Sequence, residues 1–180
     1  MKPKSACNSQ GSPALLHPWG CASRAFRTLR TWTDKLGNMT GLLASADIDI
    51  SAPPERVWAA LTDPKEIAKY MFGTSVEATW RPGSSITWSG EWEGKPYQDK
   101  GEILEVEQPR RLKLTHFSPL TGQEDRPENY HTVTYELTDR GGSTHVALSQ
   151  DNNADQDEAD RASATWTTML TGLKETVESG

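Results

Sequence analysis

Ala46-Asp47-Ile48-Asp49-Ile50-Ser51-Ala52-Pro53-Pro54-Glu55-Arg56-Val57-Trp58-Ala59-Ala60-Leu61-Thr62-Asp63-Pro64 is the stretch on which the fold turns. Ala46, Ile48 and Ile50 alternate with Asp47, Asp49 and Ser51, the period of a half-buried strand. Pro53 and Pro54 end that period. Proline is tolerated in the first helical turn, so 54–62 predicts a helix with Val57, Trp58 and Leu61 on one face, stopped by Asp63-Pro64. A second short helix over 65–71 puts Ile67, Ala68 and Met71 at three- and four-residue spacing, and Gly73 ends it.

Towards the C-terminus, six further strands are expected near 75–80, 84–92, 97–107, 110–117, 129–138 and 143–150. Turn chemistry separates them: Arg81-Pro82-Gly83, Glu93-Gly94-Lys95-Pro96, Gln108-Pro109-Arg110 and Asp139-Arg140-Gly141-Gly142 supply the fixed or positive φ angles of hairpins. Consecutive hairpins make an antiparallel meander. The acidic run Asp151 to Asp160 suits the positive end of a helix dipole and lacks the glycine and spacing of a calcium loop. After it, Ala162, Trp166, Met169, Leu170, Leu173 and Val177 mark one stripe of a long final helix. The expected class is α+β: a curved antiparallel sheet of about seven strands, two short helices after the first strand, and a C-terminal helix packed across the sheet.

Towards the N-terminus the pattern dissolves. Residues 1–44 mix Ser, Pro, Gly, Arg and Trp without a sustained apolar period, and are read as an extension outside a domain over 45–180. The preferred account is a start of translation at Met39. A transit peptide stays open, because residues 1–33 hold five basic residues and no acid, and Phe26, Leu29, Thr33 and Leu36 hint at a helical stripe. A secretory signal lacks its apolar stretch before Cys21. Both cysteines, Cys7 and Cys21, fall in this extension, so the domain has no disulfide or thiolate nucleophile, as suits a cytoplasmic location.

With 180 residues, 34% of them hydrophobic, the chain has material for one core of ordinary size. No apolar run approaches the length of a membrane span. The net charge of −6 combines +5 over residues 1–38 with −11 over the rest, so the folded part is acidic and repels phosphate backbones; nucleic acid is not an expected partner. Nucleophile elbow, Walker loop, dinucleotide glycine fingerprint, Cys-x-x-Cys and His-Glu-x-x-His are all missing, so neither a cofactor nor a metal is expected.

The helical stretch 54–64 with Ile67 and Tyr70, the segments Gly101-Glu102-Ile103-Leu104-Glu105-Val106 and Pro109-Arg110-Arg111-Leu112, and Trp166, Leu170, Leu173 and Lys174 in the last helix together resemble the SRPBCC or START-like superfamily. The branch they are similar to is the C-terminal domain of the heat-shock-protein-ninety ATPase activator, and the likeness runs from Ala46 to Ser179. It implies the helix-grip fold. In the wider superfamily such folds carry lipids, hormones or polyketides, some members are cyclases, and the branch's namesake assists a chaperone through a separate domain that 44 residues do not replace.

Strand parity then nominates inward-facing residues. Pairing Asp139 with Gly142 sets Leu137 opposite Thr144, Tyr135 opposite Val146, Val133 opposite Leu148 and His131 opposite Gln150. The turn at Pro109 sets Val106 opposite Leu112, Leu104 opposite Leu114 and Glu102 opposite His116, and pairing Ser118 with Asn129 sets His116 against His131. The row Glu102, His116, His131 and Gln150, extended by Trp88, would face the closing helix. Three readings of that row stay open: a hydrogen-bonded belt at a cavity mouth, an anchor for a ligand's polar group, and an acid/base pair or His-His-Glu metal site. Tyr135, Trp166, Met169 and Leu170 are the expected walls, and Trp58, Trp80 and Trp92 add bulk to core or wall. His145, opposite Glu136, belongs outside as a solvated cross-strand pair.

The leading functional expectation is binding of a small hydrophobic or amphipathic molecule, without catalysis. The alternatives are a cyclase- or hydratase-like enzyme using His116 or His131 with Glu102, and a chaperone-associated interaction module.

Overall fold

The computed structural model describes residues 41–180 apart from Glu93 and the side chain of Trp92. The readings made for 1–40, including Cys7, His17, Cys21 and the alternative starts, lie outside the described residues.

The elements run β1 (Leu42–Ile50), α1 (Pro54–Thr62), α2 (Pro64–Tyr70), β2 (Ser75–Ala78), β3 (Ser85–Trp92), β4 (Lys95–Glu107), β5 (Arg111–His116), β6 (His131–Asp139), β7 (Thr144–Asn153) and α3 (Gln156–Glu178). One seven-stranded antiparallel sheet is ordered β1-β7-β6-β5-β4-β3-β2, so the chain returns only once, when β7 pairs with β1. This is the expected helix-grip architecture. β1 starts four residues before Ala46, and its pairing with β7 is irregular between Leu42 and Ala44. None of the described helices is long and apolar enough to cross a membrane.

Local chemistry sets the helix ends. Pro54 opens α1, and Asp63 both ends it and caps α2 by accepting from the Lys65 N–H at 2.8 Å. At α3, Asp155 accepts from the Glu158 N–H at 2.8 Å while the Glu158 carboxylate accepts from the Ala154 N–H at 2.6 Å. The first bond satisfies one of the four orphan donors of that helix start, and the second ties the residue before the cap to the first turn. The acidic run is thus partly an entrance, but Asp151 belongs to β7 and is buried.

The core lies between sheet and helices, with Ile50, Val57, Ile103, Val133, Val146 and Leu173 almost fully buried. Each such side chain contributes about 1.5–3 kcal/mol through burial. α3 splits its stripe by position. Leu170, Leu173 and Val177 enter the core, whereas Ala162, Trp166 and Met169 face a cavity under the helix as far as Met169. Gly172 permits the close crossing with α2, since a Cβ there would stand 3.0 Å from that of Tyr70.

Two registers differ from expectation. The β6–β7 hairpin closes on Asp139 and Thr144, with Arg140 N–H donating to the Ser143 carbonyl at 2.8 Å and Gly141 N–H to the Asp139 carboxylate at 2.8 Å. A four-residue loop with φ of 74° at Gly141 and 105° at Gly142 replaces the two-residue turn. Parity survives, but partners move two residues: Tyr135 pairs with Leu148 and Val133 with Gln150. The second difference reverses faces. Val106 pairs with Leu112 as expected, but a bulge inserts Leu104, so Ile103 rather than Leu104 lies opposite Leu114. Ile103 is buried, and Leu104 is 40% exposed.

Candidate functional site

Between the sheet and the 162–169 stretch of α3 lies a cavity of about 630 Å³, lined largely by apolar and aromatic side chains. That volume is in the range of small-molecule sites. Leu112, Leu114, Val133 and Tyr135 form its floor, Trp166 and Met169 its roof, and Ile67, Tyr70 and Met71 one side. The roof is fixed: the Trp166 indole N–H donates to the Gln150 side-chain oxygen at 2.9 Å, and the Gln150 amide donates to Asn153 Oδ1 at 3.0 Å. Tyr135 meets Trp166 edge to face, with centroids 6.4 Å apart.

The polar end is built by β3, β4 and β5. Asp99 stands opposite Trp88, and its Oδ2 lies 3.1 Å from His116 Nε2. The Trp88 and His116 rings pack edge to face at 5.2 Å. Asp99 Oδ1 is shielded from solvent and has no hydrogen-bond partner. A buried carboxylate oxygen left in that state costs free energy that a donor would return. Nearby on the lining, the Tyr97 and Thr74 hydroxyls share a hydrogen bond of 2.8 Å.

The mouth carries two exposed apolar side chains, Phe72 (76%) and Leu120 (55%). Phe72 adopts φ 52°, a region where a bulky residue is strained. Its neighbours hold it there, with Gly73 N–H donating to the Ala68 carbonyl at 2.8 Å and Thr74 N–H to the Met71 carbonyl at 2.9 Å. Leu120 sits in a 3-10 turn of the β5–β6 connection. Lys100 pairs with Asp125, Tyr130 donates to Asp125 at 2.7 Å, and Phe117 stacks on Tyr130, tying that connection to β4.

Of the expected site residues, Trp88, His116, Tyr135, Gln150, Trp166 and Met169 line the cavity. Three do not. Glu102 is exposed and lies across from Thr115, whose hydroxyl accepts from its backbone N–H at 2.9 Å; the bulge at Leu104 turns its side chain outward and puts Asp99 beside His116 instead. His131 is opposite His116 as expected, but its Nδ1 lies 2.9 Å from the Asp151 carbonyl, which draws the ring to the sheet end. Leu170 is packed in the core, 2% exposed. His145 is on the outer face, but its partner is Asp49 at 2.9 Å rather than Glu136, which pairs with Ala147.

Sequence parity missed Asp99, Tyr97, Phe72 and Leu120. One signal was available for the first two: Ile103-Leu104 sets two apolar residues side by side, the break in alternation that marks a bulge.

Burial pushes the Tyr135 phenol well above its ordinary range, and Tyr70 is raised by burial first and then by the nearby Tyr135 and Glu66. Between the unfolded value, about 10, and the raised folded values, the folded chain holds protons that the unfolded chain has released. Stability from these phenols is therefore full below about pH 10 and is lost as pH rises through the folded values. An absorbance titration of phenolate should show late ionisation coinciding with unfolding, and Tyr135→Phe should remove one late-titrating group. Ordinary reversible titration of all four tyrosines would contradict the buried placement.

The family model described as activator of Hsp90 ATPase homolog 1-like protein matches residues 51–178. A Cytophaga hutchinsonii protein solved in solution is 47% identical, with 79% of this chain and 97% of that one covered at a TM-score of 0.69. The Aha1 dimer of Colwellia psychrerythraea is similar at 18% identity, covering 76% and 96% of the two chains at a TM-score of 0.61. DynU16, a protein of the dynemicin biosynthetic locus, is similar at 20% identity, covering 76% of this chain and 47% of its own at a TM-score of 0.63. At those two identities the likeness carries the fold alone. No curated protein matches the chain.

Proposed function

The chain belongs to the activator of Hsp90 ATPase homolog 1-like family, and within it we propose that this member binds a small hydrophobic or amphipathic molecule between sheet and C-terminal helix. One observation carries the reading: the cavity of about 630 Å³ persists although Trp80, Trp88 and Trp166 all reach it. A module acting only through its surface would gain stability by filling that space, since voids forfeit packing. The apolar body of the ligand would lie on Leu112, Leu114, Val133 and Met169, with its polar end towards Asp99 and His116.

A neutral fluorescent probe, N-phenyl-1-naphthylamine, tests the reading directly. Saturable binding at one site per chain, with quenching of tryptophan emission, is the expected result. Absence of saturable binding, together with native mass spectra showing no co-purified small molecule, would reject it. In that case the interaction-module alternative, for which no cavity occupant is needed, gains ground.

A second reading has its own support. An imidazole held by a carboxylate has its tautomer and orientation set, the arrangement used by general bases, and Asp99 holds His116 in that way. In this cyclase- or hydratase-like reading the pair is Asp99 with His116, and Glu102 has no part in it. Any turnover discovered for the protein should then fall by about 10²–10⁴-fold in His116→Ala; turnover left intact would remove the imidazole from the chemistry.

A further inference from the structure

Resting on that cavity-binding reading, we infer that the ligand carries a protonated amine, so that the cavity selects hydrophobic amines over acids and alcohols of the same shape. The argument starts from charge. Among the described residues, the cavity lining contains no Lys or Arg, and its carboxylates are Asp99 inside and Glu91 at the mouth. A fatty acid or other carboxylate entering this space would leave its charge beside two like charges and meet no fixed cation.

The second step is the unsatisfied atom. His116 occupies Asp99 Oδ2 at 3.1 Å, while Oδ1 is buried and without a partner. Asp99 is a lining residue and a terminal carboxyl torsion is soft, so rotation about it can offer Oδ1 to a donor in the cavity. In the neutral ring with its proton on Nε2, donated to Asp99, Nδ1 of His116 is an acceptor as well. Both groups then await donors, and an ammonium supplies three. Charge-assisted hydrogen bonds of that kind are roughly twice as strong as neutral ones.

The third step is the surrounding surface. Trp88 lies opposite Asp99 in the sheet, and Tyr97 is two residues along the same strand, both on the lining. Aromatic faces beside a carboxylate attract an organic cation through their quadrupoles. The apolar walls described above take the hydrocarbon body. Carboxylate, aromatic rings and an apolar floor thus meet in one place.

The test displaces N-phenyl-1-naphthylamine with three probes of one shape: 2-(1-naphthyl)ethylamine, 2-(1-naphthyl)ethanol and 1-naphthaleneacetic acid, at pH 7. The amine should compete about tenfold better than the alcohol, and the acid should be weakest. Asp99→Asn should erase most of the amine's advantage over the alcohol, and added salt should weaken the amine alone. Equal or better competition by the acid or the alcohol overturns the amine assignment and leaves the cavity reading standing. Failure of the neutral probe to bind overturns the cavity reading, and the amine assignment with it. The ranking in the unsubstituted protein decides the matter even where a variant folds poorly.

Discussion

Gly101→Ala is expected to destabilise the domain by about 3 kcal/mol or more, among the largest effects a single methyl group can have. A Cβ at this position would stand 1.8 Å from the Thr115 carbonyl oxygen and 2.7 Å from its carbonyl carbon. Those atoms are backbone of β5, so no rotamer change relieves the clash. β4 and β5 would have to part, and their bonds here are the paired Lys100 and Phe117 N–H···O contacts of 3.0 and 2.8 Å and the Glu102 N–H to the Thr115 hydroxyl at 2.9 Å. For a domain of this size the loss is roughly 10 °C in melting temperature. Gly83→Ala is the control: a Cβ there meets nothing within 4 Å, and the only penalty is the left-handed backbone at φ +80°. That penalty is about 1–2 kcal/mol. Calorimetric melting of both variants checks the contrast. A Gly101→Ala protein melting within about 2 °C of the parent would show that the two strands do not approach this closely.

The bulge beside this close approach explains why the polar end was misread from sequence. Elements were legible because their signals are local: the change of period at Pro53, the Asp63-Pro64 break, the glycine- and proline-marked turns and the stripe on α3. Registers depend on one residue more or less in a turn or strand. In β6–β7 the error was an even number, so Tyr135 and Val133 kept their face and only their partners changed. In β4 it was odd. Inserting Leu104 moved Glu102 outward and Asp99 inward, exchanging one carboxylate for another in the pairing with His116. Phe72 was illegible for a different reason, because a left-handed phenylalanine follows from how α2 joins β2 and not from any preference of the residue.

Neighbours on α3 provide the sharpest separation of fold from site. Leu170 is 2% exposed and packed in the core, whereas Met169, one residue earlier, faces the cavity. Leu170→Ala should cost about 2–5 kcal/mol, the loss of transferred methyl groups plus the void left behind. Met169→Ala should cost under about 1.5 kcal/mol, because the wall it leaves already borders empty space and little packing is forfeited. Binding should reverse the ranking. Met169→Ala enlarges the roof beside Trp166 and should weaken a neutral apolar probe by roughly tenfold, given about 0.8 kcal/mol for each buried methylene that loses its contact. Leu170→Ala, measured well below its melting temperature, should bind that probe within about threefold of the parent. Denaturant unfolding and probe titration on the two variants give four numbers. If both substitutions weaken binding and stability in parallel, helix α3 is one continuous core face and the cavity is not an independent site. If they separate as stated, the face of α3 that bears Trp166 and Met169 was left unfilled while the face that bears Leu170 and Leu173 carries the fold, and occupancy of that space is what the first of these faces serves.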